Sequence, residues 1–582
     1  MVKVEDIPFR NIPHQSSLFL NYIDFAPRAL RFYSNAPKME NLVDSAKDLT
    51  ASWQFPRARM APILRRQNAS YGGDPETAKN IDSLEEADCV AVLTGQQVGL
   101  FTGPIYTVYK ALTAIQIAEE LKNRGIRAVP VFWMETEDHD LPEATRRTLT
   151  SGDRSPSVTD YQDMLFRDAG VPQGSVGRMQ FPENIRHVVQ DYVNRLPDTA
   201  WKQEIRLQLE SAYRPGNTFA QSFAQLLSGI FRGLGLVLFD PQDRDAKQLA
   251  RGIFQKALRD ADAIRASLLK RNAELRSAEF HAQVSVLEGS TVLFYFQDGR
   301  RCSLEKKGSE FSLKNGDRHF STGELLDCAQ QSPERFSPNV LLRPIIQDHL
   351  FPTIAYVGGS AEVAYFAQID VLYKRWNRPM PVIWPRNSFT LIEPEISVEM
   401  DRLGIGVQDC FRERQAVIEK VLRGSGLSQA AIGLEELREH LDQGLDGIRP
   451  EIRAVDPTLA TALETARRKI LHNVQRIKSQ VVRLEAAKNS AISSALDPLM
   501  NHCCPNQKLQ ERELGIQHFW IRHGSSVLDI IRSSLDFECF SHRVLHLPPA
   551  TEAMGDLSDR GSKDSRIKGS KGSRYGEAKG RG

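Results

Sequence analysis

Two short apolar runs with a helical pattern between them constrain the fold of this chain most. The first run, CVAVL at 89–93, leads into the loop TGQQVGLFTGP at 94–104. Apolar residues then repeat every three or four positions from Val108 to Leu121, and the second run, AVPVFW, follows at 128–133. Strand, helix and strand in this order predict a βαβ unit with a right-handed crossover, so the two strands should lie parallel.

The same pattern returns later in the chain. PTIAYV at 352–357 is typical of a strand, GGSAE at 358–362 of a loop, and the segment 363–376 of a helix. Two further runs, LGLVLF at 234–239 and PVIWP at 381–385, have the length and composition of buried strands. These strands and helices favour an α/β fold, a Rossmann-like core with a doubly wound parallel sheet assembled from distant segments.

A seven-residue apolar repeat marks the C-terminal part. Leu463, Ile470, Ile477 and Leu484 recur every seven residues, and Val474 and Val481 lie four positions beyond Ile470 and Ile477. This is the spacing of a coiled-coil seam, and it predicts a helix of about 40 residues. The segment 395–422 is expected to be its antiparallel partner, although two glycines weaken its middle. Two ordinary helices packed on the core remain the alternative.

These patterns divide the chain into three parts. The first predicted part, over 1–390, is a Rossmann-like core with two insertions, of which about 142–230 is mainly helical and about 275–335 is a small β element. The second, over 391–548, is a helical coiled-coil domain that packs back on the core. The third, over 549–582, is a disordered basic tail.

Composition narrows the functional classes. The net charge is +2, and the last 33 residues carry eight Lys/Arg against five Asp/Glu, so the rest of the chain is not basic. No nucleic-acid partner is therefore predicted. No apolar run approaches the roughly 20 residues of a membrane span, and the N-terminus lacks the apolar core of a signal peptide, so we expect a cytoplasmic protein without a membrane partner.

The seven cysteines do not have the paired spacing of zinc ligands. Reduced thiols are the expectation, and a metal site at Cys503 and Cys504 with His502 is a minor alternative. No metal site is predicted from the sequence.

Polar loops follow four of the predicted strands. In an open parallel sheet, ligands bind beyond the carboxyl ends of the strands, where TGQQ (94–97), ETEDHD (135–140), GGSAE (358–362) and PRNS (385–388) should converge. Two of these loops are glycine-rich and precede helices, so their backbone amides suit a phosphate or carboxylate. They do not match the dinucleotide or Walker glycine motifs, and a purely structural turn is the competing interpretation.

The loop ETEDHD places a histidine between acidic residues. A carboxylate next to an imidazole fixes its tautomer and raises its basicity, so His139 is the candidate general base. A solvated acidic turn and a Mg²⁺ site are the alternatives. Arg343 and Arg386 lie in apolar surroundings and suit bidentate contact with a carboxylate or phosphate, or else a structural ion pair.

Six motifs in this order resemble one family. They are VLTGQQVGLFTGPIYTVYKAL, VPVFWMETEDHDLPEA, FSPNVLLRPI, AYVGGSAEVAYF, MPVIWPRNSFTLIEP and NQKLQER. The chain resembles the cysteine ligases of bacillithiol biosynthesis, the BshC family, from about residue 10 to 548. The resemblance implies a Rossmann-like core with connecting-peptide insertions and a coiled coil that supports a homodimer and holds a nucleotide such as ADP. It also implies a carbon–nitrogen ligase that joins L-cysteine to glucosaminyl malate; because an amide bond needs an activated carboxyl, ATP should be consumed.

The resemblance and the loops together assign roles to residues. The predicted catalytic residues are His139, Asp138 and Asp140. The predicted substrate-binding residues are Thr94, Gly95, Gln96, Gln97, Gly103, Arg343, Gly358, Gly359 and Glu362, with Arg343 on the malate carboxylate. The predicted nucleotide-binding residues are Arg386, Asn387, Ser388, Asn506, Lys508 and Arg512.

Two other functional classes fit the same pattern. One is a scaffold or sensor whose Rossmann-like domain binds a nucleotide while the coiled coil forms a dimer. The other is a nucleotidyl or glycosyl transferase that uses the same crevice. Loss of product with retention of the dimer in a His139 variant would distinguish a ligase from a scaffold.

Overall fold

The computed structural model describes residues 2–150, 154–314, 318–424, 429–488 and 490–549. The predicted disordered tail, apart from residue 549, lies outside the described residues. No helix among the described residues is long and apolar enough to cross a membrane.

The centre of the protein is a five-stranded parallel sheet, called the central sheet here. Its strands, in spatial order, are Val382–Pro385, Thr353–Gly358, Val90–Gln97, Ala128–Glu135 and Val237–Phe239. All neighbouring pairs are parallel. The predicted α/β fold with a parallel sheet built from distant segments is therefore confirmed.

The strands of the central sheet are apolar on both faces because helices cover both sides. Along one strand, Val131 and Trp133 belong to one group of buried apolar side chains, while Phe132 and Met134 belong to another. The helix Tyr106–Asn123 joins the two middle strands and is buried along most of its length. Its regular part begins two residues after Pro104, the predicted start.

Further helices surround the central sheet. Before it they are Ser17–Ile23, Pro27–Leu30, Met39–Ser52, Arg57–Ser70 and Pro75–Ser83. Between its strands they are Leu141–Thr145, Gln162–Phe166, Ile185–Arg195, Lys202–Ala212, Phe219–Ile230, Arg244–Arg259, Ala261–Ser277, Thr322–Gln331, Arg343–Leu350 and Ser360–Arg375.

Three smaller sheets accompany the central sheet. An antiparallel sheet consists, in spatial order, of His319–Ser321, Glu310–Leu313, Arg300–Lys307, Ser290–Gln297 and Phe336–Pro338. A two-stranded ribbon pairs Arg146–Thr150 with Pro156–Asp160. A three-stranded sheet, called the closing sheet here, places His542–His546 between Lys3–Ile7 and Ser388–Ile392.

The C-terminal part is helical. Its helices are Pro394–Leu403, Val407–Cys410, Arg414–Gly424, Gln429–Gly447, Arg449–Val455, Pro457–Lys488, Ser490–Cys503, Gln510–Glu513, Ile516–His523 and Ser526–Ser533. The longest, Pro457–Lys488, has 32 residues and is called the long helix here.

The predicted partner of the long helix is only partly right, since the last helix of that segment, Arg414–Gly424, packs on the long helix and Glu419 lies 2.8 Å from Lys478. The segment 395–422 breaks into three helices, because Gly404 ends the first one with a left-handed conformation at φ 64°. The helix Gln429–Gly447 packs along the long helix as well, and Lys478 contacts Glu435 at 2.7 Å while Arg467 contacts Asp442 at 2.7 Å. Because residue numbers fall along one helix as they rise along the other, the pair is antiparallel.

The apolar repeat of the long helix does not face that partner. Ile470, Ile477 and Leu484 are 38%, 48% and 65% exposed, whereas Lys478 and Val482 on another side are buried. Three residues of the predicted seam, Ile470, Ile477 and Leu484, therefore form an exposed stripe, whereas Leu463, Val474 and Val481 are half-buried.

Candidate active site

A cavity of about 280 Å³ lies at the carboxyl edge of the central sheet. The carboxyl ends of four of the sheet's five strands, or the residues that follow them, line it, as expected for an open parallel sheet. Four carboxylates and four cations face it: Glu135, Asp138, Glu143, Glu362, Lys110, Arg343, Arg386 and Arg512. A larger open groove of about 720 Å³, with Arg214 and Arg232 as its charged residues, lies elsewhere and lacks such a mixture of charges.

The segment TGQQ, predicted as a loop, is the end of the strand Val90–Gln97 and pairs with the strand Ala128–Glu135. A Cβ at Gly95 would lie 2.6 Å from the carbonyl oxygen of Trp133, so only glycine fits there. Gln96 donates to the hydroxyl of Tyr106 at 3.1 Å, and Gln97 donates to the carbonyl of Asp140 at 3.0 Å. The two glutamines thus fix the strand end that lines one wall of the cavity.

The turn that follows this strand has an unusual backbone. Phe101, Thr102 and Gly103 all have positive φ, at 53°, 68° and 71°. Phe101 N donates to the hydroxyl of Tyr213 at 2.6 Å. The guanidinium of buried Arg147 donates to the carbonyls of Leu100 and Ala144. Left-handed non-glycine residues cost energy that the surroundings must offset, and such strain concentrates at functional sites.

A buried lysine connects two segments that line the cavity. Lys110 Nζ donates to the carbonyl of Gly95 at 2.9 Å and lies 2.5 Å from Glu362 Oε2. Glu362 also accepts from Gly359 N and from the Tyr356 hydroxyl, both at 2.7 Å. Burial lowers the pKa of Lys110. For Glu362, burial alone would raise the pKa, but Lys110, Gly359 N and the Tyr356 hydroxyl together lower it.

These contacts anchor the start of the helix Ser360–Arg375. A Cβ at Gly358 would lie 2.8 Å from Glu362 Cβ, so the turn into the helix needs glycine. The first N–H groups of this 16-residue helix point out of its N-terminus beside the cavity, where the helix dipole favours an anion.

A second ion pair lies at the end of the strand Ala128–Glu135. Arg343 Nε is 3.0 Å from Glu135 Oε1, and Arg343 also donates to the Tyr365 hydroxyl at 3.0 Å. Burial raises the pKa of Glu135 to about 7, Arg343 acts in the opposite direction, and the charges of Glu137 and Asp138 raise it further.

A third, more buried ion pair joins the loop PRNS to the C-terminal helices. Arg386 donates to both oxygens of Glu511, at 2.9 and 2.5 Å. The Ser388 hydroxyl and Phe389 N also donate to Glu511, at 2.9 and 3.1 Å. Arg386 faces the cavity at one side, so this pair connects its wall to the helical part of the chain.

The structure brings together about half of the predicted site residues. The predicted residues that line the cavity are Gly95, Gln96, Gln97, Asp138, Arg343, Gly359, Glu362, Arg386 and Arg512. Thr94 is fully buried and donates to the carbonyl of Val357 at 2.9 Å, while Gly103 and Gly358 line small neighbouring cavities.

The predicted base does not line the cavity. The His139 side chain is 57% exposed, and its Nδ1 lies 3.5 Å from Asp138 Oδ1. Asp140 caps the helix Leu141–Thr145 by accepting from Glu143 N at 3.0 Å. The structure thus places the imidazole on the solvent side of its loop, and its role as base stays a prediction.

The predicted nucleotide-binding residues do not form one site. Asn387 and Ser388 are buried, and their side chains bond to Thr113, Glu511 and His542. Asn506 and Lys508 both donate to Glu513, at 2.8 and 2.7 Å. Arg386 and Arg512 reach the cavity, and among the described residues Arg512 has no ion pair with a carboxylate.

Sequence reasoning missed several residues of the site: Tyr106, Lys110, Glu135, Glu143, Tyr356 and Glu511. Lys110 lies on the predicted helix but two positions from Val108 and from Leu112, so the apolar repeat did not mark it. Glu511 carried no signal, since its partner Arg386 is 125 positions away. Among the described residues, no group of three or more His, Cys, Asp or Glu could hold a metal ion.

A Rossmann-like sheet with a charged cavity at its carboxyl edge, followed by an antiparallel coiled coil, defines the class of this protein: an α/β protein with a small-molecule site and a helical arm. Two family models match it, "Bacillithiol biosynthesis BshC, N-terminal Rossmann-like domain" over residues 2–387 and "Bacillithiol biosynthesis BshC, C-terminal coiled-coil domain" over 389–547. The chain belongs to the BshC family, which confirms the predicted resemblance.

Relatives match along most of their length. The protein from Salinibacter ruber is 34% identical over 533 residues, covering 91% of this chain and 96% of that one. The protein from Koribacter versatilis is 33% identical, with 93% and 99% covered, and that from Chlorobaculum tepidum is 35% identical, with 85% and 90% covered. Each is named "Putative cysteine ligase BshC".

Proposed function

We propose that this chain is a carbon–nitrogen ligase that joins the carboxyl of L-cysteine to the amine of glucosaminyl malate, the last step of bacillithiol biosynthesis. The observation that carries the proposal is the cavity itself, in which four carboxylates face four cations. Cysteine and glucosaminyl malate each carry an amine and carboxylates, so a site with both charges matches both substrates. The names of the relatives support the same reaction.

The pairing of charges inside the cavity suggests how the substrates bind. Arg343 and Lys110 already contact carboxylates of the protein, whereas Arg512 does not among the described residues. Arg512 and the N-terminus of the helix Ser360–Arg375 therefore suit an incoming carboxylate or phosphate. The carboxylates of Asp138 and Glu143 form no ion pair with lysine or arginine among the described residues, so they suit an ammonium group. Arg343 can reach a malate carboxylate from beside Glu135.

ATP is the expected co-substrate, because a carboxylate does not react with an amine at neutral pH without activation. Arg512, with Arg386 behind it, would hold its phosphates at the cavity, and the helix N-terminus next to them supplies further donors. The other predicted nucleotide contacts are engaged with protein groups, so they fit this role poorly. Bound ATP would supply the leaving group that activates the cysteine carboxyl.

A homodimer is part of the proposal. The exposed stripe of Ile470, Ile477 and Leu484 keeps the seven-residue spacing of a coiled-coil seam. A second copy of the chain would cover these side chains in the way that neighbouring helices do in a coiled coil. Small-molecule biosynthesis of this kind fits the cytoplasm, which we propose as its location.

The test is a reconstitution. Purified protein is incubated with glucosaminyl malate, cysteine and ATP, and bacillithiol and the nucleotide product are measured by mass spectrometry. Wild type should form bacillithiol, Arg512→Ala should form much less at limiting substrate, and the surface variant Glu183→Gln should match wild type. Binding of ATP without any product from wild type would favour the nucleotide-binding scaffold instead.

A further inference from the structure

Glu135 occupies a different position from the other acidic groups of the cavity. It is the last residue of its strand, so the sheet holds its backbone while its side chain faces the cavity. Its contact with Arg343 lacks the alignment of a hydrogen bond, and Oε1 is buried without a hydrogen-bond partner among the described residues. The rest of the Glu135 side chain lines the cavity, so a ligand can approach it there, beside the ion pair with Arg343.

The other acids of the cavity are already engaged or stand more in solvent. Asp138 accepts from the backbone N–H groups of His139 and Asp140, at 2.6 and 3.3 Å. Glu362 accepts from Lys110, Tyr356 and Gly359. Glu143 is exposed at the rim.

We infer that Glu135, rather than His139, is the group that takes the proton from the attacking amine; this inference rests on the ligase function proposed above. The cavity side of Glu135 is the place where an ammonium group would find an acceptor next to Arg343, which in turn can hold a substrate carboxylate. His139 lies on the solvent side of its loop, where the reacting amine would be exposed to water.

The electrostatics suit this role. A general base works best when its pKa lies near the operating pH. Burial raises the pKa of Glu135 to about 7, so near neutral pH a large share of the enzyme carries the carboxylate. An ammonium group arriving beside it stabilises that carboxylate, and the proton can then pass from nitrogen to oxygen.

The proposed step forms the amide bond and moves one proton to Glu135. The ammonium group of glucosaminyl malate gives one proton to the Glu135 carboxylate and keeps the electron pair on nitrogen. That pair forms the C–N bond to the activated cysteine carbonyl, while the bond from the carbonyl carbon to its leaving oxygen breaks and its electrons leave with that oxygen. After the attack the nitrogen carries two protons; one passes to water and the neutral amide keeps the other. Glu135 returns its proton to solvent before the next turnover.

Activity profiles test the assignment. Between pH 5.5 and 9, wild type should show an acidic limb in kcat/KM with a midpoint of about 7, set by Glu135. Glu135→Gln should lower kcat by roughly 10²- to 10⁴-fold and remove that limb, as expected for loss of a general base. His139→Asn should keep the limb, and the surface variant Glu183→Gln controls for a Glu-to-Gln change. An acidic limb that survives in Glu135→Gln, or that disappears in His139→Asn, overturns the inference.

A binding experiment separates this inference from the proposed reaction. In ¹³C NMR of protein labelled at the glutamate side-chain carboxyl, one resonance absent from Glu135→Gln should titrate at about pH 7. Adding glucosaminyl malate should move that midpoint downward, since the ammonium group favours the carboxylate. A midpoint that the ligand leaves unchanged overturns the role of Glu135 even if bacillithiol forms. A downward shift with no bacillithiol from wild type supports the contact and places the failure in the proposed reaction.

Discussion

Removal of the Glu511 carboxylate should destabilise the protein strongly. Glu511 accepts four hydrogen bonds, two from Arg386, one from the Ser388 hydroxyl and one from Phe389 N. The side chains of Arg386 and Glu511 are only 7% and 1% exposed. Glu511→Ala would leave the guanidinium charge buried without its partner, and losing one member of a buried pair costs about 3–5 kcal/mol. We therefore expect a decrease of about 3 kcal/mol or more in the free energy of unfolding.

The measurement is urea unfolding followed by tryptophan fluorescence, with circular dichroism as a second probe of two-state behaviour. Glu76→Ala is the control, because its contact with Lys79 lies between exposed side chains and should cost well under about 1 kcal/mol. The double variant Arg386→Met/Glu511→Met removes both charges at similar volume, so it should lose less stability than Glu511→Ala. If Glu511→Ala costs no more than the Glu76 control, the ion pair does not hold the two parts of the chain together.

Three further predictions follow from other contacts. Gly95→Ala should lower stability by about 2 kcal/mol or more in urea unfolding, because its Cβ would lie 2.6 Å from the Trp133 carbonyl, and a cost below about 0.5 kcal/mol would contradict the close approach. Ile477→Glu should convert a dimer to a monomer in sedimentation equilibrium, whereas a matched change at exposed Val398 should not, and an unchanged mass contradicts the proposed interface. Burial lowers the pKa of His542 from its ordinary value of 6.5 to about 4. Between these two pH values, His542 binds a proton in the unfolded chain but not in the folded chain. The folded state should thus lose up to about 3 kcal/mol as the pH falls from 6.5 to 4, and His542→Gln should flatten that slope in unfolding measurements at several pH values.

The sequence predicted the central sheet well because each strand carries its own signal. Runs such as AVPVFW are apolar throughout, which is the pattern of strands covered on both faces, and glycine-rich loops mark their ends. The position of Gly95 at the cavity followed from the general rule for parallel sheets, whereas Arg343 was singled out as a cation in apolar surroundings. The family resemblance then supplied the reaction that the loops alone left open.

Other parts could not be read from local pattern. The heptad repeat showed that the long helix has an apolar stripe, but a repeat does not say which helix covers it, and in the described chain none does. The segment 395–422 has suitable apolar residues, yet Gly404 breaks it. Likewise, His139 beside two acids suggested a base, whereas the raised pKa of Glu135 comes from burial, which depends on the fold around it and which outweighs the opposite effect of Arg343.

The closing sheet bears on how the protein is made. Its middle strand, His542–His546, supplies the partner for Lys3–Ile7, and it also pairs with Ser388–Ile392. A nascent chain on the ribosome therefore carries Lys3–Ile7 without this partner through nearly the whole of translation, and Ser388–Ile392 from its own synthesis until His542–His546 is made. Exposed strand edges of this kind invite aggregation. Synthesis that stalls shortly before His542 would yield a product that has the residues of the cavity but lacks the middle strand of the closing sheet.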